Sequence, residues 1–121
     1  MLYPLIGPRL HGWLDDVVAL LYVAGALALG LRGAALAVAL IGAAVHFFLT
    51  RLTDYPQGTF KLIPFRVHAF IELGEGIFVL AATWLLAADA PLIGRAFLSL
   101  MGATQFGAFG FSDYGPRAPR S

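Results

Sequence analysis

Four uncharged runs, residues 17–31, 33–50, 76–88 and 96–112, dominate this chain, and most of its charges fall between or at the edges of them. A segment of about 20 residues reaches roughly 30 Å as a helix, the thickness of a bilayer's hydrocarbon layer. In lipid every backbone N–H and C=O must be satisfied within the protein, which leaves helices as the form such runs take. A water-soluble four-helix bundle would instead need a polar stripe along each helix. Residues 33–50 offer none, since His46 is their only ionisable group. The chain is 60% hydrophobic and 12% charged, about half the charged share of an ordinary soluble domain. The expected fold is therefore all-α, a four-transmembrane-helix bundle forming a single integral membrane domain over residues 1–121.

The helices are expected near residues 12–31, 34–52, 66–88 and 92–111. Arg32-Gly33 makes the first reversal, Pro56, Gly58 and Pro64 keep the central connection irregular, and Asp89 with Pro91 marks the last turn. A signal-peptide reading of the first segment fails because Asp15 and Asp16 stand where basic residues belong. With no cysteine, disulfide and thiol chemistry are excluded, and a net charge of +1 gives no basis for nucleic-acid binding.

Arg9, Arg51, Lys61, Arg66, Arg117 and Arg120 lie on the side of the termini and central loop, against Arg32 and Arg95 on the other. That bias places both termini in the cytoplasm. Tyr3, Trp13, Tyr55 and Tyr114 fall at the same interface, where amphipathic rings concentrate.

An internal repeat runs through this layout. His11-Gly12-Trp13-Leu14-Asp15 aligns with His68-Ala69-Phe70-Ile71-Glu72, and Leu52-Thr53-Asp54-Tyr55 with Phe111-Ser112-Asp113-Tyr114. The chain thus divides into two parallel helix-pair repeats, about residues 11–56 and 68–115. These repeated openings, Leu62-Ile63-Pro64, and Ala82-Thr83-Trp84-Leu85-Leu86 resemble the SPW-repeat family of small multispanning bacterial membrane proteins. Ser-Pro-Trp itself is replaced by Ala82-Thr83-Trp84. The resemblance implies a multi-pass protein of the bacterial cytoplasmic (inner) membrane and carries over no catalytic residues.

Chemistry is concentrated in six side chains. His68, Glu72 and Glu75 share one helical stripe at i, i+4 and i+7, His11 and Asp15 form the matching pair, and His46 lies at similar depth on the second helix. Imidazole and carboxylate suit zinc, iron or manganese, and ionisable groups inside a bundle can relay protons. His11, Asp15, His46, His68, Glu72 and Glu75 are the candidates for a metal or proton site, with Glu75 the deepest.

The rival reading is structural: carboxylates near helix starts meet interfacial water, and Arg51 snorkels to the headgroups. Glycine and alanine on the second and fourth helices supply packing faces. There is no nucleophile elbow, phosphate loop or zinc-protease signature, and no haem attachment motif. The expectation is then a non-enzymatic packing or accessory subunit without a cofactor. It would associate with copies of itself or other membrane subunits in the lipid bilayer. The alternative is proton or cation translocation through a His/carboxylate-lined oligomeric bundle.

Overall fold

The structure, a computed structural model, describes residues 4–115, so Tyr3, Arg117 and Arg120 lie outside the described residues. It is an all-α bundle of four helices: α1 (Pro8–Ala28), α2 (Gly33–Leu52), α3 (Phe65–Leu85) and α4 (Leu92–Phe111). α1 begins a turn earlier than expected because Pro8 occupies the first helical position, where its fixed φ and missing N–H cost nothing. It ends at Ala28 in a Schellman turn: Gly30, at φ 62°, turns the chain so that Leu31 N–H reaches Ala26 O at 3.0 Å and Gly30 N–H reaches Leu27 O at 3.2 Å.

Three of the described helices, α1, α2 and α3, are long and apolar enough to cross a membrane. The fourth, α4, has the length, while Arg95 and Gln105 dilute its apolar character. The distribution of side chains is that of a multi-pass membrane protein. Leu20, Leu27, Phe48, Phe70, Leu85 and Leu100 lie on the outside, whereas His11, His46, His68, Glu72 and Gln105 are among the largest fully buried side chains. Lipid makes an apolar exterior cheap and drives polar groups inward.

α1 packs most broadly on α2, and α3 on α4, while α1 and α3 make no close backbone approach. The apolar core forms around Tyr22, Val38, Val79, Leu98 and Met101. Glycines let these pairs close. A methyl group at Gly42 would run into the Tyr22 ring, and one at Gly25 into Phe97. Gly76 and Gly102 each sit close to the other's carbonyl oxygen. Much of the small-residue surface is thus consumed inside the bundle.

The two chain segments that precede α1 and α3 are tied down in the same manner. Ile6 N–H donates to Phe111 O at 2.9 Å and Asp113 N–H to Ile6 O at 2.8 Å. Likewise Ile63 N–H donates to Leu52 O at 2.9 Å and Asp54 N–H to Ile63 O at 2.8 Å. These short bridges bring Thr53 and Ser112 against the first turns of α3 and α1.

Candidate functional site

Between α1 and α3, where backbones stay apart, side chains fill the gap. His11 and Asp15 lie one turn apart on α1, and His68 and Glu72 one turn apart on α3, so each helix presents an imidazole and a carboxylate on one stripe. All four are buried, at 0–2% exposure. His11 Nε2 lies 3.2 Å from His68 Nε2, 3.0 Å from Glu72 Oε2 and 3.4 Å from Asp15 Oδ1. His68 Nε2 lies 3.2 Å from Asp15 Oδ2 and 3.5 Å from Glu72 Oε2. One donor atom from each of the four residues can be chosen so that all lie within 4.8 Å of one another.

The far side of each imidazole is held by a hydroxyl. His68 Nδ1 is 2.8 Å from Thr53 Oγ1, whose own proton goes to Leu49 O at 2.6 Å. Thr53 can therefore only accept from the ring, which assigns the proton to Nδ1 and leaves the Nε2 lone pair of a neutral His68 facing the cluster. His11 Nδ1 meets Ser112 Oγ at 2.6 Å in the same manner. Tyr55 donates its phenol proton to Asp15 Oδ2 at 2.8 Å. Burial, reinforced by the Asp15 charge, raises the Tyr55 phenol above the usual tyrosine range, so it keeps that proton. Tyr114 is raised for the same first reason, with Glu72 adding to it. Phe65 stands edge-on to His11 at 4.9 Å, between Tyr55 and Tyr114 at 5.4 Å and 4.7 Å, and this aromatic layer closes the end of the cluster.

His46 and Glu75 extend the polar interior without joining the foursome. His46 Nε2 stays 3.7 Å from Asp15 Oδ1 and 3.8 Å from Glu72 Oε1. Its Nδ1 pairs with Glu75 Oε2 at 2.7 Å, and Glu75 Oε1 has no hydrogen-bond partner among the described residues. Beyond them, Gln105 donates to the Tyr22 hydroxyl at 3.0 Å, and the Tyr22 ring lies 6.3 Å from that of His46.

Three expectations are corrected here. Asp15 and Glu72 do not sit in interfacial water; both are buried and ringed by imidazoles. Arg51 does not simply snorkel, because its Nη2 pairs with Asp16 Oδ1 at 2.6 Å, a half-buried contact. The third concerns role. A purely structural, non-enzymatic packing or accessory subunit has no need of two histidines and two carboxylates converging in its buried interior, where each ionisable group is costly. The cluster has the composition and spacing of a group that could hold a metal ion, which argues against both the packing role and the non-enzymatic assignment.

Spacing along the chain singled out His11, Asp15, His46, His68, Glu72 and Glu75, and the fold brings them into one polar interior. Thr53 and Ser112 stand outside the six candidates, although their matched positions at the two repeat ends are a usable signal. Tyr22 and Gln105 were missed; an amide within an apolar helix was the available sign.

Fold and site together define a multi-pass membrane protein with a buried His/carboxylate cluster. No family model matches the chain, nor does any curated protein or solved structure.

Proposed function

We propose that this protein binds a divalent transition-metal ion within the membrane through His11, Asp15, His68 and Glu72. One observation carries the reading. A metal with bonds of about 2.0–2.1 Å holds tetrahedral ligands about 3.3–3.4 Å apart; the two imidazole nitrogens lie 3.0–3.5 Å from each other, from Glu72 Oε2 and from the Asp15 oxygen nearer each histidine, and one donor atom from each residue can be chosen with all four within 4.8 Å. Two imidazoles and two carboxylates suit zinc, with iron and manganese next. The hydroxyls of Thr53 and Ser112 and the phenol of Tyr55 supply the outer hydrogen bonds that orient metal ligands. Protein purified in mild detergent without chelator is expected to carry about one metal ion per chain, read by elemental analysis. Metal-free protein that also fails to take up added zinc, iron or manganese ends the proposal.

The buried His46–Glu75 pair beside the cluster favours a second use of the same interior, translocation of protons or cations. In proteoliposomes a proton or zinc gradient should then dissipate faster with protein than without. Glu75→Gln should abolish that flux while the metal stays bound. Equal leak rates with and without protein would dispose of this reading. The groups form a cluster rather than a continuous pore, so translocation would call for an oligomer.

The same proposal includes two parallel helix-pair repeats, supported by the paired bonds at Ile6 and Ile63 and by the crossed holding of His11 by Ser112 and His68 by Thr53. A kinship with SPW-repeat proteins of the bacterial inner membrane, with cytoplasmic termini, accords with that arrangement and with the arginine and lysine bias.

A further inference from the structure

The seam between α1 and α4 is loosely closed, in contrast to the broad α1–α2 and α3–α4 contacts. Along it runs a groove of about 530 Å³, walled by Leu14, Val18 and Leu21 of α1 and by Gly107 and Ala108 of α4. Its lining includes Asp15 and Glu72, two members of the cluster. That volume falls within the range of small-molecule sites, which pair apolar walls with a few convergent polar groups.

Small side chains hold the groove open. A methyl group built on Gly107 would meet nothing within 4 Å. Superposing Leu52–Tyr55 on Phe111–Tyr114 in sequence sets Phe48 and Leu49 against Gly107 and Ala108. Of these, Leu49 is buried in the core at 5% exposure. The opening therefore belongs to α4 and not to the corresponding part of α2.

The occupant follows from what surrounds each end. Leu14, Val17 and Leu21 at the groove are partly exposed on the apolar exterior, so entry is from lipid. Tyr55, Phe65 and Tyr114 cover the cluster at the end of the bundle. A molecule that arrives by this route dissolves in hydrocarbon and ends against two carboxylates. An anionic head would meet like charge there, and a carbonyl head has no proton to offer. A hydroxyl can donate to Asp15 or Glu72 and can also ligate a metal through its oxygen.

We infer that the α1–α4 groove binds a membrane-borne lipid alcohol, its chain between Leu14, Val18 and Gly107 and its hydroxyl at Asp15 and Glu72. Ligation of the hydroxyl by a metal rests on the metal reading above; occupancy of the groove does not.

The test uses the full chain in phosphatidylcholine nanodiscs and a saturated long-chain primary alcohol bearing a diazirine close to its hydroxyl. Zinc is assayed on the same samples. Photolabelling should concentrate on peptides containing Asp15, Glu72 and residues 104–111, and unlabelled alcohol should compete it away. Gly107→Phe, whose Cβ has open space around it and whose ring would occupy the groove, should abolish that labelling and leave zinc content unchanged. Gly74→Phe, at a second open glycine on α3, should leave it intact. Labelling spread over the lipid-facing surface and indifferent to Gly107→Phe overturns the inference. So does equal labelling by an alkane diazirine of the same length, which would make the occupant an ordinary acyl chain. Groove labelling in a chain that takes up no zinc upholds the lipid site and removes the metal.

Discussion

Glu72→Ala is expected to abolish stoichiometric metal retention. Its Oε2 lies 3.0 Å from His11 Nε2 and 3.5 Å from His68 Nε2, and its Oε1 faces His46 at 3.8 Å. Asp15, the other carboxylate of the cluster, reaches the same three histidines from the opposite wall. Loss of an outer hydrogen-bonding partner lowers metal affinity roughly 10–100-fold, and loss of a ligand should exceed that. Glu72→Gln keeps the shape but not the charge and should fall between. Glu75→Gln is the contrasting variant, because Glu75 lies against His46 and outside the foursome; it should retain the ion. Zinc titration monitored by calorimetry separates the three. Equal affinity in Glu72→Ala and the parent chain would mean that the ion, if bound, sits elsewhere.

The apolar runs made the helices legible, because length and hydropathy are local properties. The end of α4 falls where expected, whereas α1 differs at both ends: Pro8, which can break a helix or begin one, starts it a turn early, and the turn at Gly30 ends it at Ala28 rather than Leu31. The candidate residues were legible for a related reason: His11 with Asp15, and His68 with Glu72, show their i, i+4 spacing in the sequence. Which way each stripe turns about its helix axis was not legible, and that rotation separates interfacial carboxylates from a buried cluster. It depends on contacts between distant segments. Ser112 reaches His11 across 101 residues, and the cover over the site is assembled from Tyr55, Phe65 and Tyr114 on separate stretches of chain. The glycines posed the same difficulty. Gly42 and Gly107 look alike in sequence, yet one is pressed against Tyr22 and the other faces open space.

Stripping the metal should loosen the bundle, with the effect centred on the α1–α3 junction. These helices have no close backbone approach of their own, so the cluster is their principal link. A ligand that binds only the folded state stabilises it by RT ln(1 + [L]/Kd), about 4.1 kcal/mol when free metal is about 1,000 times Kd. For a domain of this size that corresponds to a rise in thermal midpoint on the order of 10 °C or more. Chelator should remove this increment, and re-addition of zinc should restore it. Amide exchange should localise the change: protection should fall at 8–15 and 65–75, while the Tyr22–Gly42 contact between α1 and α2 keeps its neighbours protected. Without metal the two imidazoles and two carboxylates keep only their contacts with one another and with Ser112, Thr53 and Tyr55, and the carboxylates repel across the gap. The Glu72→Ala chain offers the internal control. Lacking a ligand, it should show neither the rise with zinc nor the fall with chelator. A parent chain whose midpoint and exchange are both indifferent to chelator would remove the metal from its proposed place between α1 and α3.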